Sequence, residues 1–333
     1  MSLSYEFSLL FSVLFSILTA IGVLGNVLVI VAIAADAKMR MCVMNILLLN
    51  LAVADLSNVL VAIAEWAPAV FIGRPTWLLH PIMCPIARYM ECVFLFTSIS
   101  TQLIVCLERY IATVYPMRAR VLCSRSSACW AVVIAWTAAS IFALPYALTH
   151  GVKTNVGYCS NSSAGSRWWS NYKLAEFLLY FVLPCCVILI VYSRVASLLW
   201  ATNPRLNTQG SHVVQEGCSR QLATRRNVVK MLVACATVYF VCYAPIQALF
   251  LSRALFKVRI SPPYAAILLL NALAVTCSAS NPLLYALFST RFRKRLKVLL
   301  APIYTIQQKG NKEDKYTTIS HNRPSQSYPF HSL

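Results

Sequence analysis

A carboxylate beside a guanidinium, Glu108-Arg109, closes an almost uncharged segment that begins near Pro81. In a soluble protein this would be an ordinary helix end, whereas in a membrane such a pair needs a reason. Asp55 in NLAVADL, Glu65, Arg88 and Glu91 are further ionisable groups set among apolar neighbours. An ionisable group inside a membrane is costly, so each is a functional hypothesis. Asn26, Ser98, Ser278 and Asn281 lie at comparable depths on other apolar stretches. With Asp55 they suggest a polar, water-filled cluster able to hold a sodium ion or a proton. The competing reading makes Asp55 hydrogen-bonded glue between helices. Asn281 is followed by Pro282, which frees a backbone carbonyl and loosens the helix beside the acid.

Metal and hydrolytic chemistry find little support. The histidines fall at 80, 150, 212, 321 and 331, none inside a span core, and no CxxC spacing occurs. A seven-helix membrane enzyme would need clustered ligands. Most of the 13 cysteines sit in apolar runs, where the thiol acts as a small hydrophobe.

The elements that position these residues follow from composition. Of 333 residues, 59% are hydrophobic and 12% charged, far from the balance of a soluble domain. Seven apolar stretches, near 8–35, 43–70, 81–113, 127–149, 171–200, 226–252 and 264–287, are each long enough to cross a membrane as a helix. The fold class is an all-α seven-helix membrane bundle, with the expected partition 1–7 extracellular, 8–288 membrane, 289–300 amphipathic helix and 301–333 disordered tail. The first run lacks a basic front or a small-residue cleavage site, so it reads as a retained span.

Most of the 29 Lys and Arg residues fall on the side of Arg40, Arg109, Arg125 and the residues after Phe288. Basic loops face the cytoplasm, which predicts an outside N-terminus in a multi-pass plasma-membrane protein. The net charge of +19 then describes loops facing anionic lipid and not nucleic-acid binding. Cys84 and Cys159 fall on the oxidising side and are expected to form a disulfide. Asn161-Ser162-Ser163 on the same side is an N-glycosylation acceptor.

These residues resemble the motifs of rhodopsin-family (class A) G-protein-coupled receptors. The matches are Gly25-Asn26, Leu51 to Asp55, Trp77, the Cys84 and Cys159 pair, Glu108-Arg109-Tyr110, Trp136, Pro184, Tyr192, Cys242 to Pro245, and Asn281 to Tyr285. The resemblance implies that Arg109 is the activation switch, Glu108 its restraint, and Tyr192 and Tyr285 the partners that stabilise the open form. A heterotrimeric G protein would meet that end, and arrestin and a receptor kinase the tail. Three departures stand out: Glu108 where Asp is commoner, Tyr243 where the toggle above Pro245 is usually Trp, and Tyr239 where Phe is usual. Arg225 replaces an acid found in some members, which removes a long-range ionic lock and is expected to raise basal activity.

The seventh span holds no Lys for retinal, and Val275 stands where an amine receptor needs an aromatic. Glu91 occupies the place of the amine receptors' Asp, so an amine or other small molecule is the second reading, with a constitutively active orphan receptor also open. The segments Thr224 to Ala234 and Glu108 to Leu122 look like those of neuropeptide receptors of the thyrotropin-releasing-hormone, ghrelin and neuromedin type or their invertebrate relatives. The short N-terminus likewise favours a small peptide. Glu65 and Glu91 facing one cavity would repel unless a cation sits between them. That cation is either a Lys or Arg of the peptide, or Arg88 one turn away. Trp66, Trp77, Tyr89, Phe94, Tyr243, Gln247, Phe250 and Asn271 are expected to line the rest, with Arg253, Lys257 and Arg259 as a basic rim.

After Tyr285 the run STRFRKRLKVLL should lie along the inner membrane surface. Thr317, Thr318 and Ser320 in the tail are phosphorylation candidates. A transporter would show a polar path and internal symmetry between halves, and the sequence shows neither.

Overall fold

The computed structural model describes residues 3–153, 157–201, 212–256, 262–289, 292–299 and 301. Long apolar runs without water to satisfy their backbone must form helices, and the described residues follow this rule in seven spans. Its elements are α1 (Tyr5–Ala34), the single turn α2 (Ala37–Arg40), α3 (Val43–Ile72), α4 (Met83–Val114), α5 (Pro116–Leu122) and α6 (Arg125–Thr149). A hairpin of β1 (His150–Lys153) and β2 (Tyr158–Asn161) follows, then α7 (Arg167–Phe177), a π-helical turn Leu178–Val182, α8 (Leu183–Ala201), α9 (His212–Phe256) and α10 (Tyr264–Phe288). Seven segments are long and apolar enough to span, the fifth running through α7, the π turn and α8. The chain is a multi-pass membrane protein.

Local rules set several ends. Asp36 accepts from the backbone of Lys38 and Met39, and Ser124 and Ser166 likewise cap α6 and α7. Gly73 ends α3 in the left-handed region at φ 72°, open to glycine without steric cost. The first helix starts at Tyr5, three residues before the expected edge, and α9 starts at His212, well before the expected 226. The segment from His212 to Thr224 is polar, yet it lacks proline and carries Gln, Glu, Leu, Ala and Arg, so the helix continues beyond the apolar core.

Packing separates an inward from an outward face. Leu24, Ile134, Val241 and Leu287 are exposed, as side chains facing lipid must be. Inside, Cys92, Val93, Phe96, Tyr239, Tyr243 and Cys277 form one cluster, while Phe15, Val59, Ala62 and Leu268 belong to a second. Gly25 is where α1 comes closest to α10: a Cβ there would lie 2.9 Å from Pro282 Cβ. The Trp136 indole N–H donates to Asn50 Oδ1 at 2.8 Å, and Asn50 Nδ2 donates to Thr101 at 2.8 Å, tying α6, α3 and α4 together.

Cys84 and Cys159 form a disulfide between the start of α4 and β2, with Val152 opposite Cys159 in the antiparallel register. Asn161 lies in β2 with its amide donating to Thr149 Oγ1 at 3.2 Å, so a glycan there would displace that bond. A second unit begins at Thr290, and in it residues 292–299 are helical with Arg293, Lys294 and Lys297 exposed and Leu296 and Leu299 half-buried. The expected tail, including Thr317, Thr318 and Ser320, lies outside the described residues.

Candidate functional site

At mid-bundle, α1, α3, α4 and α10 bring the predicted polar residues together. Ser98 Oγ donates to Asp55 Oδ1 at 3.0 Å and Asn281 Nδ2 donates to Asp55 Oδ2 at 2.6 Å. Asn58 Nδ2 donates to Ser278 Oγ at 3.3 Å, and Asn26 Nδ2 donates to the carbonyl of Ser278 at 3.2 Å. Asp55 is 1% exposed, so these bonds supply the stabilisation that water cannot. The oxygens of Asn26 and Asn58 are buried without partners. Two uncommitted oxygens beside a carboxylate suit a hard cation, which takes oxygen ligands. Asn58 was not singled out from sequence, although it lies one turn from Asp55 on the same helix.

At the disulfide end the pairing of Glu65 and Glu91 is internal. Arg88 lies between them, bound directly to Glu65 Oε1 and donating to Glu91 Oε2 at 3.0 Å. Its guanidinium carbon stands 5.0 Å from the centre of the Trp66 ring. Of the two alternatives for these acids, the Arg88 contact is therefore made. Glu65 Oε2, the Trp66 indole nitrogen and Gln247 Oε1 are all buried without partners among the described residues.

The other expected pocket residues divide. Phe94 meets Trp136 of α6 edge-on at 5.9 Å, where the indole is held by Asn50. Trp77 is fixed by its backbone N–H to Gly157 at 3.0 Å and belongs to the hairpin support. Tyr89 donates to the carbonyl of Ser140 on α6 at 3.2 Å, and Asn271 donates to Ile267 within its own helix at 2.7 Å. Phe250 reaches a charged group that sequence reading passed over. Lys173 Nζ lies 4.2 Å from the centre of its ring. The Arg253 side chain, Lys257 and Arg259 lie outside the described residues.

Lys173 belongs to a closed network. Its ammonium donates to Glu176 Oε1 at 2.5 Å and to Tyr146 Oη at 2.8 Å, and Tyr146 donates to Glu176 Oε2 at 2.7 Å. Lys173 and Glu176 are 6% and 3% exposed, a burial that ions tolerate only when paired. The signal was present in sequence, since KLAE places two opposite charges three apart in an otherwise apolar span. His150 stacks on Tyr146 at 5.5 Å, and burial, then the cations of Arg88 and Lys173, lowers its pKa to about 4.

Below this level Tyr243 lies in the central cluster, 5.0 Å from the Tyr239 ring and two residues before Pro245. The hydroxyl that distinguishes Tyr239 from Phe donates to the carbonyl of Tyr180 in the π turn, at 2.6 Å. In a regular helix that carbonyl would accept from residue 184, which is proline and has no N–H. The departure at 239 thus answers a backbone acceptor at the π turn.

At the opposite end of α4, Glu108 binds the Arg109 guanidinium through both oxygens, a bidentate pair. Glu108 is 10% and Arg109 26% exposed by side chain, so the arginine stands at the boundary of the bundle. Tyr110 stacks edge-on against Tyr115. Tyr192 and Tyr285 line one small cavity with Leu51, Val105 and Leu232, next to the same stretch of α4. Arg225 lies outside the described side chains; among those described, Glu108 is the acid paired with Arg109.

The sequence is similar to those of known proteins. Residues 25–285 match the family described as 7 transmembrane receptor (rhodopsin family). Neuropeptide receptor 15 of Caenorhabditis elegans is 53% identical over 85% of this chain and 87% of its own length. An allatostatin-A receptor of Bombyx mori is 30% identical over 85% of the chain and 77% of its own length, and human galanin receptor type 3 is 30% identical over 77% and 67%. With a Glu-Arg pair at one end of the third span, a disulfide at the other and an Asp-Asn bridge between α3 and α10, the chain belongs to the rhodopsin family of seven-transmembrane receptors.

Proposed function

We propose that this chain is a plasma-membrane receptor that binds a short extracellular peptide at its disulfide end and activates a heterotrimeric G protein at its Arg109 end. The observation that carries the reading is 53% identity, over nearly the whole of both proteins, to one named a neuropeptide receptor. The N-terminus lies outside and the basic loops inside. Peptide binding shifts the bundle from a state in which Glu108 holds Arg109 to one in which Arg109 faces the G protein and Tyr192 and Tyr285 close the vacated space. A few kcal/mol of differential binding suffices for such a shift. Tyr243 and Pro245 on α9, and Asn281 and Pro282 on α10, carry the movement between the ends. Asp55, with the oxygens of Asn26 and Asn58, would hold a sodium ion that compensates the buried carboxylate. Arrestin and a receptor kinase act on the tail, and membrane lipids contact the basic inner surface.

The test is a G-protein activation assay in cells with a library of short peptides. Arg109→Ala is expected to abolish activation while surface expression stays at the wild-type level. Undiminished activation in that variant would overturn the switch, and silence of the wild type across the library would overturn the peptide reading.

A further inference from the structure

We infer that Glu65, and not Glu91, receives a cationic group of the bound peptide, and that the Trp66 indole N–H takes a carbonyl beside that cation. The inference rests on the peptide reading above and specifies the ligand chemistry of its site. Arg88 is one guanidinium set against two carboxylates, and its charge cannot compensate both. The two acids differ in what remains open. Glu91 is 21% exposed by side chain, so water reaches it; Glu65 is 3% exposed, with Oε1 on Arg88 and Oε2 buried without a partner. A buried acceptor left unsatisfied is costly, and a charged donor relieves that cost most.

The second orphan is a donor. Trp66 follows Glu65 in the chain, its ring lies against the same Arg88, and its Nε1 is buried without an acceptor. A ligand that satisfied both would present positively charged N–H groups and, close by, a carbonyl oxygen. The amino terminus of a peptide has this form, an ammonium one carbon from its first carbonyl. A Lys or Arg side chain supplies the cation alone. Gln247 Oε1 on α9 is a third orphan and the second acceptor at this end of the bundle, suited to a further N–H.

The full-length receptor in lipid nanodiscs decides the matter with three small probes. Glycinamide carries an ammonium beside a carbonyl, methylguanidine a guanidinium without one, and acetamide is neutral. Glycinamide is expected to raise the thermal unfolding midpoint, methylguanidine to raise it less, and acetamide to leave it unchanged. Glu65→Gln, which keeps the shape and removes the charge, should abolish both shifts, and Glu91→Gln should weaken them less. Trp66→Phe should reduce the glycinamide shift to that of methylguanidine.

Equal shifts in wild type and Glu65→Gln, or a greater loss in Glu91→Gln, would overturn the assignment. If Glu65→Gln fails to fold, the Trp66→Phe comparison still decides, since equal retention of the glycinamide excess overturns it. In cells, activating peptides should lose roughly tenfold or more in potency on Glu65→Gln, the loss expected for one charge-assisted bond. N-acetylation should cost as much if the cation is the amino terminus, and replacing Lys or Arg if it is a side chain. Peptides that activate wild type and Glu65→Gln equally would refute the subsite and leave the receptor reading intact. A wild type silent to every peptide would refute both.

Discussion

Two charge clusters lie near the disulfide end, and they are built on opposite plans. The first joins α3 and α4 through Glu65, Arg88 and Glu91; it has two acids for one base and leaves an oxygen of Glu65 without a donor. The second joins α6, α7 and α9 through Tyr146, Lys173, Glu176 and the Phe250 ring, with both carboxylate oxygens of Glu176 occupied and the charges balanced. An open cluster can gain from a visitor, whereas a closed one can only lose. The first is accordingly fitted to recognition, and the second to holding α9 in register with α7 until something competes for its parts.

The largest expected effect would break the closed cluster. Lys173→Met leaves Glu176 buried without its cation, a class of change that costs about 3–5 kcal/mol. Thermal unfolding of the purified receptor should show that loss, and Lys173→Met with Glu176→Met should recover most of it.

Next comes the group between the clusters. His150 has its pKa lowered from 6.5 to about 4, so the unfolded chain binds the extra proton first. Stability supported by the neutral ring is present above pH 6.5 and falls as pH drops from there towards 4, by about 3 kcal/mol at most. Melting curves between pH 7 and pH 4 should be flatter in His150→Gln; parallel curves would contradict the assignment.

A smaller effect sharpens the role of the closed cluster in motion. Phe250→Leu removes the face under Lys173, worth about 2 kcal/mol when desolvated, and should raise basal G-protein activation. The smallest is Tyr239→Phe, which deletes one hydrogen bond of about 1 kcal/mol to the π turn. A rise in basal activity larger than that of Phe250→Leu would place the main restraint on α9 at the π turn and not at Lys173.

Much of this was legible before any coordinates. The seven spans follow from hydropathy because a membrane admits few alternatives, and the Asp55 cluster follows from the rarity of polar groups at that depth. Helix rotation is harder to read. The ring that Phe94 meets on Trp136 depends on how α4 and α6 pack, and that is not local information. The partner of Glu65 was open for the same reason, since Arg88 reaches it across an interhelical contact. Lys173 and Glu176 stand in the sequence as two charges in an apolar span, but their partners Tyr146 and Phe250 lie on other helices.

The π turn has a consequence for how this sequence tolerates change in length. A helix advances about 100° per residue, and Leu178–Val182 absorbs an extra residue's worth of chain between the half of the fifth span that holds Lys173 and Glu176 and the half that holds Tyr192. Deleting one residue within that turn would remove the surplus and restore a regular helix, with Lys173 and Glu176 still facing Tyr146 and Phe250, whereas a deletion in the regular part of α8 before Tyr192 would swing the Lys173 half by about 100°. Single-residue deletions in the turn should therefore be better tolerated than the same deletion in α8, their main loss being the Tyr239 bond to Tyr180.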